Sequence, residues 1–249
     1  MDWFLTDPSY VLFLLIDLIA IFSLVAAMRW LSRFLVKPVT QHSDASNIET
    51  AAAVMGLMIA LTGVTTGRFS LGIFQEWALI TGYGILALVL LRLGALIQDK
   101  LVLPAMDLNH AAQQGNSAAA LVTASHLLGT AIVIRAAMQW TNQDANLGLI
   151  ALLFGFVISQ FLLALETRLR IAWTSGDIIK AIDRKTNPVA IKAAVQHIGA
   201  ALAISGSAHF ASSIEYQLEL AVLAWLFSSV VFLLLYLALA ELCVRIILP

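Results

Sequence analysis

The segment NSAAALVTASHLLGTAIVIRAAM, residues 116–138, decides the fold. It opens on an Asn, continues in Ala, Ser, Thr and Gly with aliphatic residues between them, and carries no Asp, Glu, Lys or Arg before Arg135. A stretch of that length matches the roughly 20 residues a helix needs to cross a bilayer. Lipid offers backbone groups no partner, so a helix is the form it takes there. Two other segments begin alike, NIETAAAVMGLMIALTG at 47–63 and NPVAIKAAVQHIGAALAISG at 187–206. Each is followed by a longer Leu-rich stretch that ends near Pro104, Trp173 or Pro249. Three units of near-equal length result, 47–104, 116–173 and 187–249, preceded by a first helix and loop over 1–46. The pattern reads as an internal repeat of a two-helix hairpin.

Hydrophobic residues make up 61% of the chain and charged residues only 12%, against about a quarter charged in soluble domains. Charge-poor stretches run over 10–35, 51–67, 77–98, 117–140, 147–165, 188–210 and 216–244. They are too long and too continuously apolar for barrel strands. The expected fold is an all-α polytopic membrane protein with seven transmembrane helices. Nearly all Lys and Arg fall toward the ends where odd-numbered spans finish, leaving Arg68 and Arg135 toward the other side. By the positive-inside rule the N-terminus is outside and the C-terminus cytoplasmic. The acidic, aromatic start Met1-Asp2-Trp3-Phe4 does not suit a cleavable signal peptide. Cys243 is the single cysteine, which excludes an intrachain disulfide, and its expected role is packing.

The second, fourth and sixth spans are rich in Ala, Gly, Ser and Thr, and the others are Leu-rich around most of their circumference. Gly63 with Gly67, Ser125 with Gly129, and Ala201 with Ser205 have the small-xxx-small spacing that lets helix backbones approach closely in lipid. The small-residue helices are therefore expected inside the bundle and the Leu-rich ones outside, or against another copy of the chain. Asn47, Asn116 and Asn187 read as helix N-caps, since an Asn side chain accepts an otherwise orphaned N–H. Pro188 fits the first helical turn after Asn187, and Ser46 with Glu49 has capping-box spacing beside Asn47. Three such N-termini on one side also offer positive dipole ends to an anionic group.

The stretches Asn47-Ile-Glu-Thr-Ala-Ala-Ala, Asn116-Ser-Ala-Ala-Ala and Asn187-Pro-Val-Ala resemble the YjfL-type bacterial inner-membrane family, also called domain of unknown function 350. The resemblance extends over the whole chain as a tandem. It implies an integral inner-membrane protein without an established activity. It further suggests a partner among envelope-stress or stomatin-like membrane proteins.

Chemistry is carried by polar residues within the spans. His126 and His197 each lie ten positions after their Asn, about 15 Å into the bilayer at the helical rise, while Leu57 holds the matching position of the first unit. A histidine pair there suits a proton or ion pathway or, more plainly, helix packing. Asp17 lies about two turns into the first span, where a carboxylate is costly unless paired, and Arg135 is its geometrically available partner. Gln160, Glu166, Arg92 and Glu241 are expected to satisfy packing or to snorkel to the interface. Two histidines without nearby carboxylates make a poor metal site. Arg168, Arg170, Lys180, Arg184, Lys185 and Lys192 mark a basic loop for topology or anionic lipid, with a short interfacial helix that Thr174-Ser175-Gly176-Asp177 starts and that runs through Ile182, with Ile178, Ile179 and Ile182 on its apolar face.

The chain carries no zinc-protease, P-loop, dinucleotide or Ser/His/acid pattern and no nucleic-acid signature. The expectation is a non-enzymatic inner-membrane subunit or scaffold of an envelope-associated assembly, without cofactor, whose partners are the lipid bilayer and another membrane protein or a homo-oligomer. The alternative is an ion- or proton-coupled channel or transporter that uses Asp17, His126 and His197.

Overall fold

The computed structural model describes residues 15, 18–23, 25–27, 44–64, 73–104, 106–138, 145–173, 177–211 and 218–247. These are helices joined by short turns, with no strand among the described residues. Helix α1 spans Asp44–Leu61, α2 Ile73–Ile97, α3 Leu108–Gln113, α4 Ser117–Met138, α5 Ala145–Trp173, α6 Asp177–Asp183, α7 Asn187–Ala211 and α8 Leu218–Ile247. A π-helical segment, Gln98–Val102, prolongs α2.

Five helical segments are long and apolar enough to cross a membrane: Trp77–Val102, Ser117–Met138, Leu152–Trp173, Asn187–His209 and Glu219–Cys243. The expected first span lies largely outside the described residues, where only the short apolar stretch Leu18–Ala27 is seen. The expected second span corresponds to α1, whose 18 residues begin with Asp44 and include Glu49, and it is not one of the five. The fifth span differs from expectation in register. It reaches Trp173 rather than stopping at Leu165, and so carries Glu166 and Arg170 inside it.

Of the small-residue helices α1, α4 and α7, α4 is central and packs extensively on both of the others, whereas α7, expected inside, is buried over a smaller share of its span than the Leu-rich α5. They run parallel, because contacts between them keep a near-constant offset along the chain: Thr62 with Arg135, His126 with His197, and Ser117 with Asn187. Backbone proximity is what the small residues provide. A Cβ on Gly63 would lie 2.6 Å from the Arg135 carbonyl oxygen, and one on Gly129 would lie 3.2 Å from the Ala201 Cβ. Gly67, the expected partner of Gly63, lies outside the described residues. Without a hydrophobic drive between helices in lipid, such close van der Waals packing supplies the association. The Leu-rich α8 leaves Phe227, Val231, Leu234, Leu235 and Leu239 exposed, as expected for a lipid-facing helix. It is anchored by Trp225, fully buried over Gly155, and by Tyr236, whose hydroxyl donates to the Gln196 carbonyl at 3.0 Å. Cys243, expected to pack, is exposed instead.

Two short helices set the starts of α4 and α7. Both end in a left-handed residue, Gly115 (φ 83°) and Lys185 (φ 55°). Each closes with the paired bonds of a Schellman turn: Asn116 N–H to Ala111 O and Gly115 N–H to Ala112 O, then Thr186 N–H to Ala181 O and Lys185 N–H to Ile182 O. Asn116 then caps α4 as expected, its Oδ1 accepting from the Ala118 and Ala119 N–H groups at 3.1 and 3.2 Å. Its Nδ2 donates to Ile182 O at 2.7 Å and so ties α6 to α4. Asn187 is the first residue of α7 and accepts from the Ser117 hydroxyl at 2.7 Å. Asn47 is not an N-cap. Because α1 already runs from Asp44, Asn47 lies within its first turns, exposed. The capping-box reading of Glu49 fails for the same reason, and its half-buried carboxyl instead lies within electrostatic reach of Arg92 and Asp99. The short helix α6 buries Ile178 and Ile182, as its pattern predicts.

Candidate functional site: a polar layer between two apolar cores

The buried apolar residues form two clusters. One holds Ala118, Ala119, Ala120 and Val122 of α4 with Ala190 and Ala193 of α7 and Ile178 and Ile182 of α6. The other holds Leu127, Ala131 and Ile134 of α4 with Ala200, Ala201 and Ile204 of α7, and Leu57, Leu152, Phe156 and Trp225. Along α7 the boundary between the clusters falls between Ala193 and Ala200, around His197, and along α4 it falls at Thr123, one turn before His126.

His126 and His197 meet beside that boundary. His126 Nδ1 lies 3.2 Å from His197 Nε2, with ring centroids 5.3 Å apart and planes tilted by 36°. Both side chains are buried. The outer nitrogen of each ring is also engaged. His126 Nε2 lies 3.0 Å from the Gly94 carbonyl oxygen of α2, and His197 Nδ1 lies 3.0 Å from Glu166 Oε2 of α5. Glu166 is fully buried and forms an ion pair through Oε1 with Arg170, one turn further along α5. Arg170 Nη1 donates to the Ala193 carbonyl of α7 at 2.7 Å. Thr167 completes this end, its hydroxyl 3.0 Å from Leu163 O, 3.2 Å from Glu166 Oε2 and 3.4 Å from His197 Nδ1. On the other flank Gln160 Nε2 donates to Thr130 Oγ1 at 3.1 Å.

Glycine makes this crossing possible. A Cβ on Gly94 would meet Thr130 and Gln160 atoms at 3.3–3.4 Å, and one on Gly129 would come within 3.4 Å of the His197 ring. A Cβ at either place would make its neighbours give by a few tenths of an ångström.

Two of the four residues singled out from the sequence are thus brought together, His126 and His197. Arg135 is not part of the cluster. It stands more than two turns further along α4, with Nε donating to Thr62 Oγ1 at 3.0 Å. Asp17 lies outside the described residues, and so does its suggested pair with Arg135. Of the two roles expected for Glu166, packing or snorkelling, its full burial leaves the first, and it supplies a carboxylate beside the histidine pair. Arg170 likewise leaves the basic loop for the core, while Arg168 donates to the Leu101 carbonyl of the π-helical segment at 2.6 Å. Glu166 and Arg170 were missed because their polarity marks a span end in a hydropathy reading. Their i,i+4 spacing was the available signal, since it places opposite charges on one helix face. Among the described residues, no three His, Cys, Asp or Glu side chains gather to hold a metal ion.

This arrangement defines an all-helical protein with five helices long and apolar enough to cross a membrane and a charged, imidazole-bearing layer inside its bundle. A family model described as Domain of Unknown Function (DUF350) matches residues 71–208, more than half of the chain and the whole of this polar layer, and the chain belongs to that family. No curated protein and no solved structure matches it.

Proposed function

We propose that this is an inner-membrane protein whose buried His126–His197–Glu166 cluster serves ion or proton movement through the bundle. The reading includes two further membrane-crossing segments, one around 10–35 and one over 51–67, which with the five apolar helices make seven. It places the N-terminus outside and the C-terminus in the cytoplasm, and it treats the three hairpins as tandem units. The observation that carries it is the continuous hydrogen-bonded line from α2 through α4 and α7 to α5 at mid-bundle. Ionisable groups are costly within a membrane and are retained where they line a pathway or pair with one another. Neutral packing alone asks for neither a buried carboxylate nor two titratable rings in series. The test is reconstitution in proteoliposomes with an imposed membrane potential. Net ion movement that falls in Glu166→Gln supports the reading, and a folded wild-type protein that moves no ion contradicts it.

A second reading is favoured by the closure of the cluster, which has apolar cores on both sides and a guanidinium that ties α5 to α7. On that reading the polar layer fixes helix order in a non-enzymatic subunit or scaffold of an envelope-associated assembly. A stable partner recovered after gentle detergent extraction, with copurification unchanged in His126→Gln, supports it.

A further inference from the structure

Hydrogen-bond donors and acceptors along the line can be counted. The Gly94 carbonyl only accepts, so His126 Nε2 carries a hydrogen. In a neutral His126 ring, Nδ1 is then the acceptor, and His197 Nε2 must supply the hydrogen across the 3.2 Å gap. At the far end, His197 Nδ1 and Glu166 Oε2 stand 3.0 Å apart and require one hydrogen between them. That hydrogen belongs to either partner: an imidazolium facing a carboxylate, or a neutral ring facing a carboxylic acid. Arg170 at Oε1 stabilises the carboxylate, while the donor ring of His197 has a second nitrogen from which a proton can leave.

We propose that the species taken up by this cluster is the bare proton, relayed from Glu166 to His126 through the two nitrogens of His197. The Glu166 O–H bond breaks as an N–H bond forms at His197 Nδ1. The Nε2–H bond of His197 then breaks as an N–H bond forms at His126 Nδ1. Glu166 ends as a carboxylate, His197 as a neutral ring of the opposite tautomer, and His126 as an imidazolium. No electron changes hands, and one positive charge has moved from α5 to α4. Both N–H groups of the His126 imidazolium keep partners, the Gly94 carbonyl and His197 Nε2, and buried Gln160 stands beside it with its Oε1 without a hydrogen-bond partner. A metal cation does not fit the same groups, since the one carboxylate is held by a guanidinium and hard cations need several oxygen ligands. The other polar groups facing the line are the Thr167 hydroxyl on α5 and, from α8, the Tyr236 hydroxyl bonded at Gln196.

The relay rests on the ion-movement reading, and a single set of proteoliposomes separates the two. Vesicles hold a pH-sensitive dye, and parallel sets report Na⁺ and K⁺ entry. Proton entry without Na⁺ or K⁺ entry, slowed in D₂O and reduced by about tenfold or more in His126→Gln and His197→Gln, is the expected result. Entry of Na⁺ or K⁺ that survives His126→Gln overturns the proton relay and leaves ion movement standing. No entry of any ion by the folded wild-type protein overturns both. Should the variants fail to fold, cation selectivity and the D₂O effect on the wild-type protein still decide.

Discussion

Helix α4 meets α1 on one side and α7 on the other, and both interfaces bring small residues close, yet they are filled differently at the depth of the histidines. On the α1 side, a Cβ on Gly56 would lie 3.4 Å from both the Leu127 carbonyl oxygen and the Ala131 Cβ, and Leu57 is fully buried in apolar surroundings. On the α7 side, Gly129 faces Ala201 at a similar distance, but the residue at the matching depth is His197, bonded to His126. Parallel small-residue helices thus tolerate either a dry or a polar filling. What selects the polar one is the fourth partner, α5, which brings Glu166, Thr167 and Arg170 to the α7 side. Shared helix geometry provides the scaffold, and one exchanged position with its supporting carboxylate provides the chemistry.

The largest test of that contrast removes half of the ion pair. Glu166→Leu takes the counter-charge from a buried guanidinium, which costs about 3–5 kcal/mol, or a drop of roughly 10 °C in the thermal midpoint for a chain of this size. The double variant Glu166→Leu/Arg170→Leu should recover most of the loss in detergent thermal unfolding. If it does not, the pair is not the coupled unit described. The next test moves the chemistry to the dry side. Leu57→His places an imidazole where only apolar groups wait, at a cost of about 1–3 kcal/mol for unsatisfied polar groups, whereas a stability equal to wild type would mean that the α1 interface is not dry.

The smallest effect concerns Glu49, near the start of α1. Burial pushes its carboxyl pKa up, and Asp99 adds to this while Arg92 opposes it. A raised carboxyl favours the protonated folded state, so its stabilising effect is full below the ordinary value of 4.5 and is lost as pH rises above it. Glu49→Gln should flatten that decline and raise the midpoint at pH 7 by about 2 °C. An unchanged pH profile would show that the carboxyl is better solvated than its surroundings indicate.

The long apolar helices were legible because composition alone dictates them, and the mid-helix positions of His126 and His197 followed from counting residues after Asn116 and Asn187. Three features were not legible. Asn47 looks like Asn116 in sequence, but α1 starts at Asp44 and overrides the cap. Glu166 and Arg170 look like the polar end of a span, because hydropathy counts each charge singly and cannot see that two of them neutralise each other in the core. The contact between the histidines depends on the offset at which α4 and α7 pack, which Gly129 and Ala201 set in three dimensions.

The most direct measurement is nitrogen-15 solid-state NMR of histidine-labelled protein in bilayers, assigned with His126→Gln and His197→Gln. The account predicts a through-space correlation between His126 Nδ1 and His197 Nε2, with His126 protonated at Nε2. Two rings without mutual correlation, or a His126 protonated only at Nδ1, would contradict it.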